Sequence, residues 1–419
     1  MEDESSSDEE HFIDPSDILA VDEGEGDGDV PMDDADDDEH DPGSPSLQQS
    51  IQDNVIFEDN SIQQFPNHQK SVFSISVHPT LPIAASGGQD DLGYLWNFQN
   101  GELIARLSGH TDSVSKTAFS FDGTLVATGG MDGKVRLWRL LSGDPSPKHW
   151  EFLTEINGPD EVLWLEWHPK GSVLLAGSGD GTVWMWQLPS GNVMQVFAGH
   201  ESSVQAGGFT PDGKKIVSVD ASGNLILWDP RSPAPVWKLN EAADGRFSFD
   251  GGITSVSANP SSTLAVVGGA DGIVRVVNLA KGSVIGALEG HQKDESVEAI
   301  TFLDFGSASV GQGSGIVATG GTDGKICIWD LTTMKIRTTL EHESSVTKLL
   351  THPVPHGHLL TSASADTTLK TWDARAGKLL RHHVGHQGPV FDAALGLGGT
   401  VVVSAGDDGI CLVFGTDQP

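Results

Sequence analysis

Histidine and aspartate recur along this chain at spacings that invite a chemical reading. Aspartate stands six residues before the end of a short alternating run at Asp90, Asp132, Asp180, Asp271, Asp323, Asp366 and Asp408. Those runs end at Trp96, Trp138, Trp186, Val277, Trp329, Trp372 and Phe414; an eighth ends at Trp228, with Ser222 at the corresponding place. Upstream of most runs lies a histidine: His68, His110, His200, His291, His342 or His386. Such pairs invite a Ser-His-Asp relay or a metal site. A catalytic set is one constellation, however, and no Ser-His-Asp ordering stands out from the repeated background. The tightest histidine group, His352, His356 and His358 in "HPVPHGHL", lacks a Cys or carboxylate to complete a ligand set and reads as a turn like "HPTLP" and "HPKGS". "GQGSGIVATGG" (Gly311–Gly321) has the glycines of a dinucleotide loop but precedes a strand instead of opening a helix. Cys327 and Cys411 fall in strand runs and read as packing residues. Catalytic residues, metal and cofactor are therefore all expected to be absent, and the chain is not expected to be an enzyme.

The elements carrying these residues are strands. The eight run ends are 42 to 52 residues apart. Between them sit hairpin signals such as "SFDGT" and "TPDGK", flanked by β-rich runs such as "LVATGG" and "KIVSV". Each unit reads as a His loop, strand a, a turn, strand b, the Asp turn, strand c and a final strand d such as "ELIARL" or "NVMQVF". A period of this length marks a repeat array, in which only stacked neighbours bury the faces of each sheet.

Composition bounds the partners. The 419 residues carry a formal net charge of −35, and residues 1–41 hold 20 acidic residues with no Lys or Arg. Residues 1–53 cannot bury enough apolar area to offset ordering and read as a disordered acidic tail; 54–419 read as the folded array. An apolar island, "FIDPSDILAV" (Phe12–Val21), interrupts the tail. The array still carries about −15, which repels nucleic acid phosphates and attracts basic partners. "MEDESSSDEE" is no signal peptide, no stretch of about 18 apolar residues exists to span a membrane, and two cysteines without a C-x-x-C spacing suit a reducing compartment. The expectation is a cytoplasmic monomer without direct nucleic acid or membrane contact.

The repeated unit resembles WD-repeat β-propellers over roughly residues 61–415. Literal Trp-Asp ends occur at Trp228-Asp229, Trp329-Asp330 and Trp372-Asp373; the third unit has "NGPDE" in place of Gly-His, and the fifth ends "VVN". The resemblance implies an all-β propeller of eight blades, in which each turn Asp is hydrogen-bonded by the His of its unit. It also implies closure by the N-terminal strand: the last unit stops after strand c, and "SIQQF" (Ser61–Phe65) aligns with the final strands, removing an open edge.

On a propeller the loops entering strand a and those between strands b and c gather on one face. Here they carry Asp112, Asp160, Glu161, Asp294, Glu295, Glu298, Glu343 and Asp407, with Phe73, Trp164 and Phe391 at or near the start of strand a. An acidic face with apolar spots suits an Arg/Lys-rich peptide with hydrophobic anchors. The phrases "HQKSVFSISVHPTLPIAASGGQDDLGYLW", "DEVLWLEWHP", "ESSVTKL" and "AGDDGICLVF", together with the long acidic N-terminus, resemble the subfamily that contains the angio-associated migratory cell protein and a fungal ribosome-assembly chaperone. That resemblance implies a dedicated chaperone in ribosome biogenesis. Its client would be a newly made, basic large-subunit ribosomal protein, held by its N-terminal segment at Asp112, Asp160, Glu161, Glu298 and Asp407. Two other readings stay open: a substrate receptor of a cullin-type ubiquitin ligase, from "WDPR" (Trp228–Arg231) and "WDAR" (Trp372–Arg375), and a histone-tail-binding scaffold.

Overall fold

Asp-Gly turns and β-branched runs fold here as antiparallel four-stranded sheets. The computed structural model describes residues 58–141, 149–306 and 315–416, so the expected tail lies outside the described residues. Eight such sheets form the blades of a propeller. Seven are built from four consecutive strands, running a to d from the channel outward. In blade 1 these are Val72–Val77, Ile83–Gly88, Gly93–Asn97 and Leu103–Leu107.

The eighth blade is completed from the other end of the array. Strands Val390–Gly396, Val401–Gly406 and Cys411–Gly415 take Gln63–Phe65 as their outer strand, with Gln63 opposite Val413 and Phe65 opposite Cys411. Ile62 N extends the ladder to Val413 O at 2.8 Å. The ring closes where Val390–Gly396 packs on Val72–Val77.

Burial follows radial position. Strand b is buried on both faces in blades 1, 2, 6 and 7, as stacking of sheets requires. Strand d carries the exposed apolar residues of the rim, among them Val193, Met194, Leu379 and Leu380. Close stacking needs a missing side chain at one point of strand b: a Cβ on Gly320 would lie 2.6 Å from Val346 Cγ1 of the next blade. Gly87, Gly129 and Gly268 make room in the same way for Val114, Val162 and Val297. Cys327 and Cys411 are fully buried in strand c, and burial pushes the Cys327 thiol up to about 12, so neither is a reactive thiolate.

The recurring His and Asp staple six of the eight blades. In blade 6 the Trp329 indole donates to Thr319 Oγ1 at 2.8 Å, and Thr319 Oγ1 lies 2.8 Å from His291 Nε2. The Asp323 carboxylate can only accept, so the Nδ1 proton of His291 goes to it at 3.1 Å, and in the neutral imidazole Nε2 then accepts the Thr319 hydroxyl proton. Asp323 also accepts the backbone N–H of Gln292 and Lys325, both at 3.0 Å. The same His–Asp bond forms in blades 1, 2, 4, 7 and 8. Blade 4 corrects the sequence reading: its carboxylate is Asp220 at the end of strand b, not a residue at the Ser222 position, and it reaches His200 at 2.9 Å. Burial raises the Asp220 pKa, but the His200 bond and the amides of Asn224 and Glu201 outweigh it and bring the group to about 2.

Closure rests largely on Phe65. It is 1% exposed and stacks on Trp96 with ring centroids 4.7 Å apart. Phe65→Ala is expected to cost about 3–5 kcal/mol in urea unfolding, the usual penalty for an emptied aromatic site. A loss below about 1 kcal/mol would mean that the closing strand adds little to the ring.

Candidate functional site

The staples fix where the face residues sit. In every blade but the third the Asp ties the loop entering strand a to the turn between strands b and c, so both loops of a blade leave the same end of the ring. Strand a of all eight blades then carries a β-bulge at its second residue, where the register skips one position. A bulge re-aims the extra side chain. The skipped residues are Phe73, Ser115, Leu163, Gln205, Thr254, Glu298, Thr347 and Phe391, and each lines one of two cavities at the centre of the face. Ser115, Thr254 and Thr347 bond back to the first carbonyl of the next blade's strand a, at Val162, Val297 and Val390.

One cavity, of about 530 Å³, lies over blades 1 to 3, with Phe73, Met131 and Leu163 as its apolar surface and Asp112 and Glu161 among its lining residues. The other, of about 550 Å³, is the central channel; Glu298, Trp164 and Phe391 border it. Phe73 and Phe391 meet across the closure seam with centroids 5.9 Å apart.

Of the expected site residues, Asp112, Asp160, Glu161, Asp294, Glu298, Glu343 and Asp407 are exposed and Glu295 is half-buried. Their partners are amides and hydroxyls: Asp112 accepts Ser113 N, Glu295 accepts Thr322 Oγ1, Glu298 accepts Ser296 Oγ and Asp407 accepts Ser71 Oγ. Among the described residues none of the eight is in an ion pair with Lys or Arg. Glu201, on the corresponding loop of blade 4, differs: Lys238 neutralises it at 2.6 Å. Acids on other loops are paired as well, such as Asp229 with Lys215 and Arg231, and Asp373 with Arg375. Asp160, Asp294, Glu295, Glu343 and Asp407 line neither cavity. Trp164 is 7% exposed and is committed to packing between blades, its Nε1 donating to Val204 O at 3.1 Å.

Four charged residues inside the ring were missed from the sequence. Lys348 Nζ meets Asp392 Oδ1 at 3.0 Å, with Lys116 in the same channel. Glu166, deeper on strand a of blade 3, accepts Phe209 N of blade 4 at 3.2 Å. Burial pushes the Glu166 carboxyl up to about 8, only partly offset by that amide. A charge on an innermost strand was the available signal, visible in "SVSKTAF", "SVTKLL", "PVFDAAL" and "LWLEWHP".

The WD domain, G-beta repeat family model matches residues 59–97, 101–139, 150–187, 191–229, 245–278, 282–330, 334–373 and 377–414. The chain therefore belongs to the WD-repeat family, within the subfamily of the angio-associated migratory cell protein. The human protein of that name is 32% identical over 372 residues, covering 86% of this chain and 81% of its own length. The ribosome assembly protein SQT1 of Saccharomyces cerevisiae is 27% identical over 394 residues, covering 86% and 88%. Among solved structures, Sqt1 of Chaetomium thermophilum bound to the N-terminus of the ribosomal protein L10 superposes with a TM-score of 0.78 at 28% identity, over 86% of this chain and all of that one.

The neutral Glu166 carboxyl yields a signed prediction. An acid whose folded pKa is raised adds stability below its unfolded pKa, and this is lost as pH rises through the folded value. The cost should appear between pH 4.5 and about 8. Glu166→Gln keeps the acceptor for Phe209 N and cannot ionise. Unfolding free energies from urea titration should lie close to wild type at pH 4 and exceed it at pH 8, by about 1–3 kcal/mol. Equal values at pH 8 would place an ordinary carboxylate there.

Proposed function

We propose that this protein is a dedicated chaperone that captures a newly made, basic protein of the large ribosomal subunit by its N-terminal segment, on the acidic propeller face, as a cytoplasmic monomer. The observation that carries the reading is the set of eight loop carboxylates with no Lys or Arg partner among the described residues, three of which, Asp112, Glu161 and Glu298, border the cavities that present the apolar surfaces of Phe73, Leu163 and Phe391. Single rim charges contribute only about 0.2–1 kcal/mol each, so recognition needs several acids at once, with an apolar anchor between them. The similarity to a chaperone solved with the N-terminus of L10 supports the choice of client. Arg231 and Arg375, which raised the ligase reading, fold back on Asp229 and Asp373 of their own turns.

Glu298→Lys tests the face. Glu298 is an exposed bulge residue, so folding stability should change by no more than about 0.5 kcal/mol. Affinity for a basic peptide taken from the N-terminus of the large-subunit protein should fall roughly tenfold, because an attraction becomes a repulsion. Wild-type affinity should also weaken as salt rises from low to physiological levels. Full affinity of Glu298→Lys at low salt, measured by calorimetric titration, would remove the acidic face from the mechanism.

A further inference from the structure

Below the acidic mouth the channel changes sign. The residues just past the bulges form the next tier: Ser74 in blade 1, Lys116 in blade 2, Lys348 in blade 7 and Asp392 in blade 8. Asp392 is the only carboxylate of the tier, and its oxygens are heavily used. It accepts Lys348 Nζ at 3.0 Å, Ala393 N at 3.0 Å, Ile75 N at 3.2 Å and Ser74 Oγ at 3.3 Å. Lys116 shares the field of that carboxylate but makes no hydrogen bond or ion pair among the described residues. Burial pulls its pKa down; the attraction of Asp392 opposes this, and the repulsion of Lys348 adds to it. The tier therefore holds two ammonium groups against one carboxylate, around a cavity of about 550 Å³. Glu298, the other acid on this cavity, belongs to the tier above and is turned to Ser296. An ammonium in a partly dry cavity is favourable only with a counter-charge.

We propose that the channel is a binding site for one oxyanion, a carboxylate or phosphate group, held by the ammonium groups of Lys116 and Lys348. The group enters through the mouth, either as a free ion or as a side chain of a segment lying on the face. The second source rests on the chaperone reading; the first does not. Lys348 is half committed to Asp392, so Lys116 supplies the free charge. A basic segment places its cations on the rim, and this tier turns them back from the channel while accepting one acid.

The test uses the full chain without a client. Melting temperature is followed against inorganic phosphate, with chloride adjusted to hold ionic strength constant. Wild type should show a saturable rise, by the linkage between binding and stability. Lys116→Arg should keep the rise and Lys116→Gln should lose it. No rise in wild type, or the same rise in Lys116→Gln, overturns the site. A second arm locates the source: two basic peptides differing by one Glu→Gln change are titrated onto wild type and Lys116→Gln. Weaker binding of the Gln peptide to wild type alone assigns the oxyanion to the bound segment, whereas equal binding beside a persistent phosphate effect assigns it to a free ion. If neither peptide binds, the chaperone reading fails while the phosphate result stands.

Discussion

The bond between the turn carboxylate and the amide that follows the histidine position organises every blade but one. It joins Asp90 to Gln69 N, Asp132 to Thr111 N, Asp220 to Glu201 N, Asp323 to Gln292 N, Asp366 to Glu343 N and Asp408 to Gln387 N. Blade 5 has no histidine there, yet Asp271 still accepts Asp250 N at 2.7 Å, while the Phe249 ring packs on Gly269 where the other blades place an imidazole. The histidine is thus an addition to a backbone staple. It bonds a strand-b hydroxyl, which in blades 4, 6 and 7 also accepts the Trp indole, so that three buried polar groups settle one another there. Blade 3 lacks the arrangement. Ser178 Oγ takes the amides of Asp160 and Asp180 instead, and Trp186 Nε1 is left buried without a partner.

From that staple the face follows. Pinning both loops of a blade to one carboxylate leaves the remaining loop residues little freedom, so a charge there is held at the rim instead of folding back. Bulges at the second residue of every strand a then turn eight side chains into the mouth. The closure seam is tied through the same region: Asp392 of blade 8 bonds Ser74 and Ile75 of blade 1, and Thr117 N of blade 2 donates to Ser74 Oγ at 3.1 Å. Joining of the chain ends, alignment of the central strands and shape of the binding mouth are therefore one physical arrangement.

What was legible in the sequence divides along the same line. Turn chemistry and period are local signals, so eight blades, the closing strand and the face acids could be read without contacts. Asp220 was misplaced because counting back from Trp228 assumes one turn length, whereas this carboxylate sits at the end of strand b and reaches the same imidazole from there. Trp164 looked like a surface anchor because its position at the mouth was right. Its ring is instead used between Gly177 and Gly207, where a Cβ on either would collide with it. Lys116, Lys348 and Asp392 escaped because a bulge breaks alternation: past it, parity along the strand no longer tells which side chains reach the channel, and only the register does.

Ion pairing is uneven among the acids of the loops. Asp229, Asp373 and Asp212 meet basic residues on turns of the opposite face, and Asp244 and Glu201 do so on loops entering strand a, whereas the eight expected face carboxylates meet none among the described residues. Leaving them unpaired sacrifices little, since exposed pairs contribute about 0.2–1 kcal/mol each. It gains a potential that sums over the ring, because like charges held apart by rigid loops act together on a cation approaching the mouth. The inner cationic tier sharpens that potential into a layer: negative at the rim, apolar where Phe73, Leu163 and Phe391 stand, and positive below. On the proposed chaperone reading, a basic segment meeting this sequence of surfaces would be drawn to the face and stopped there. Its path then lies across the ring, against the loops that the staples hold.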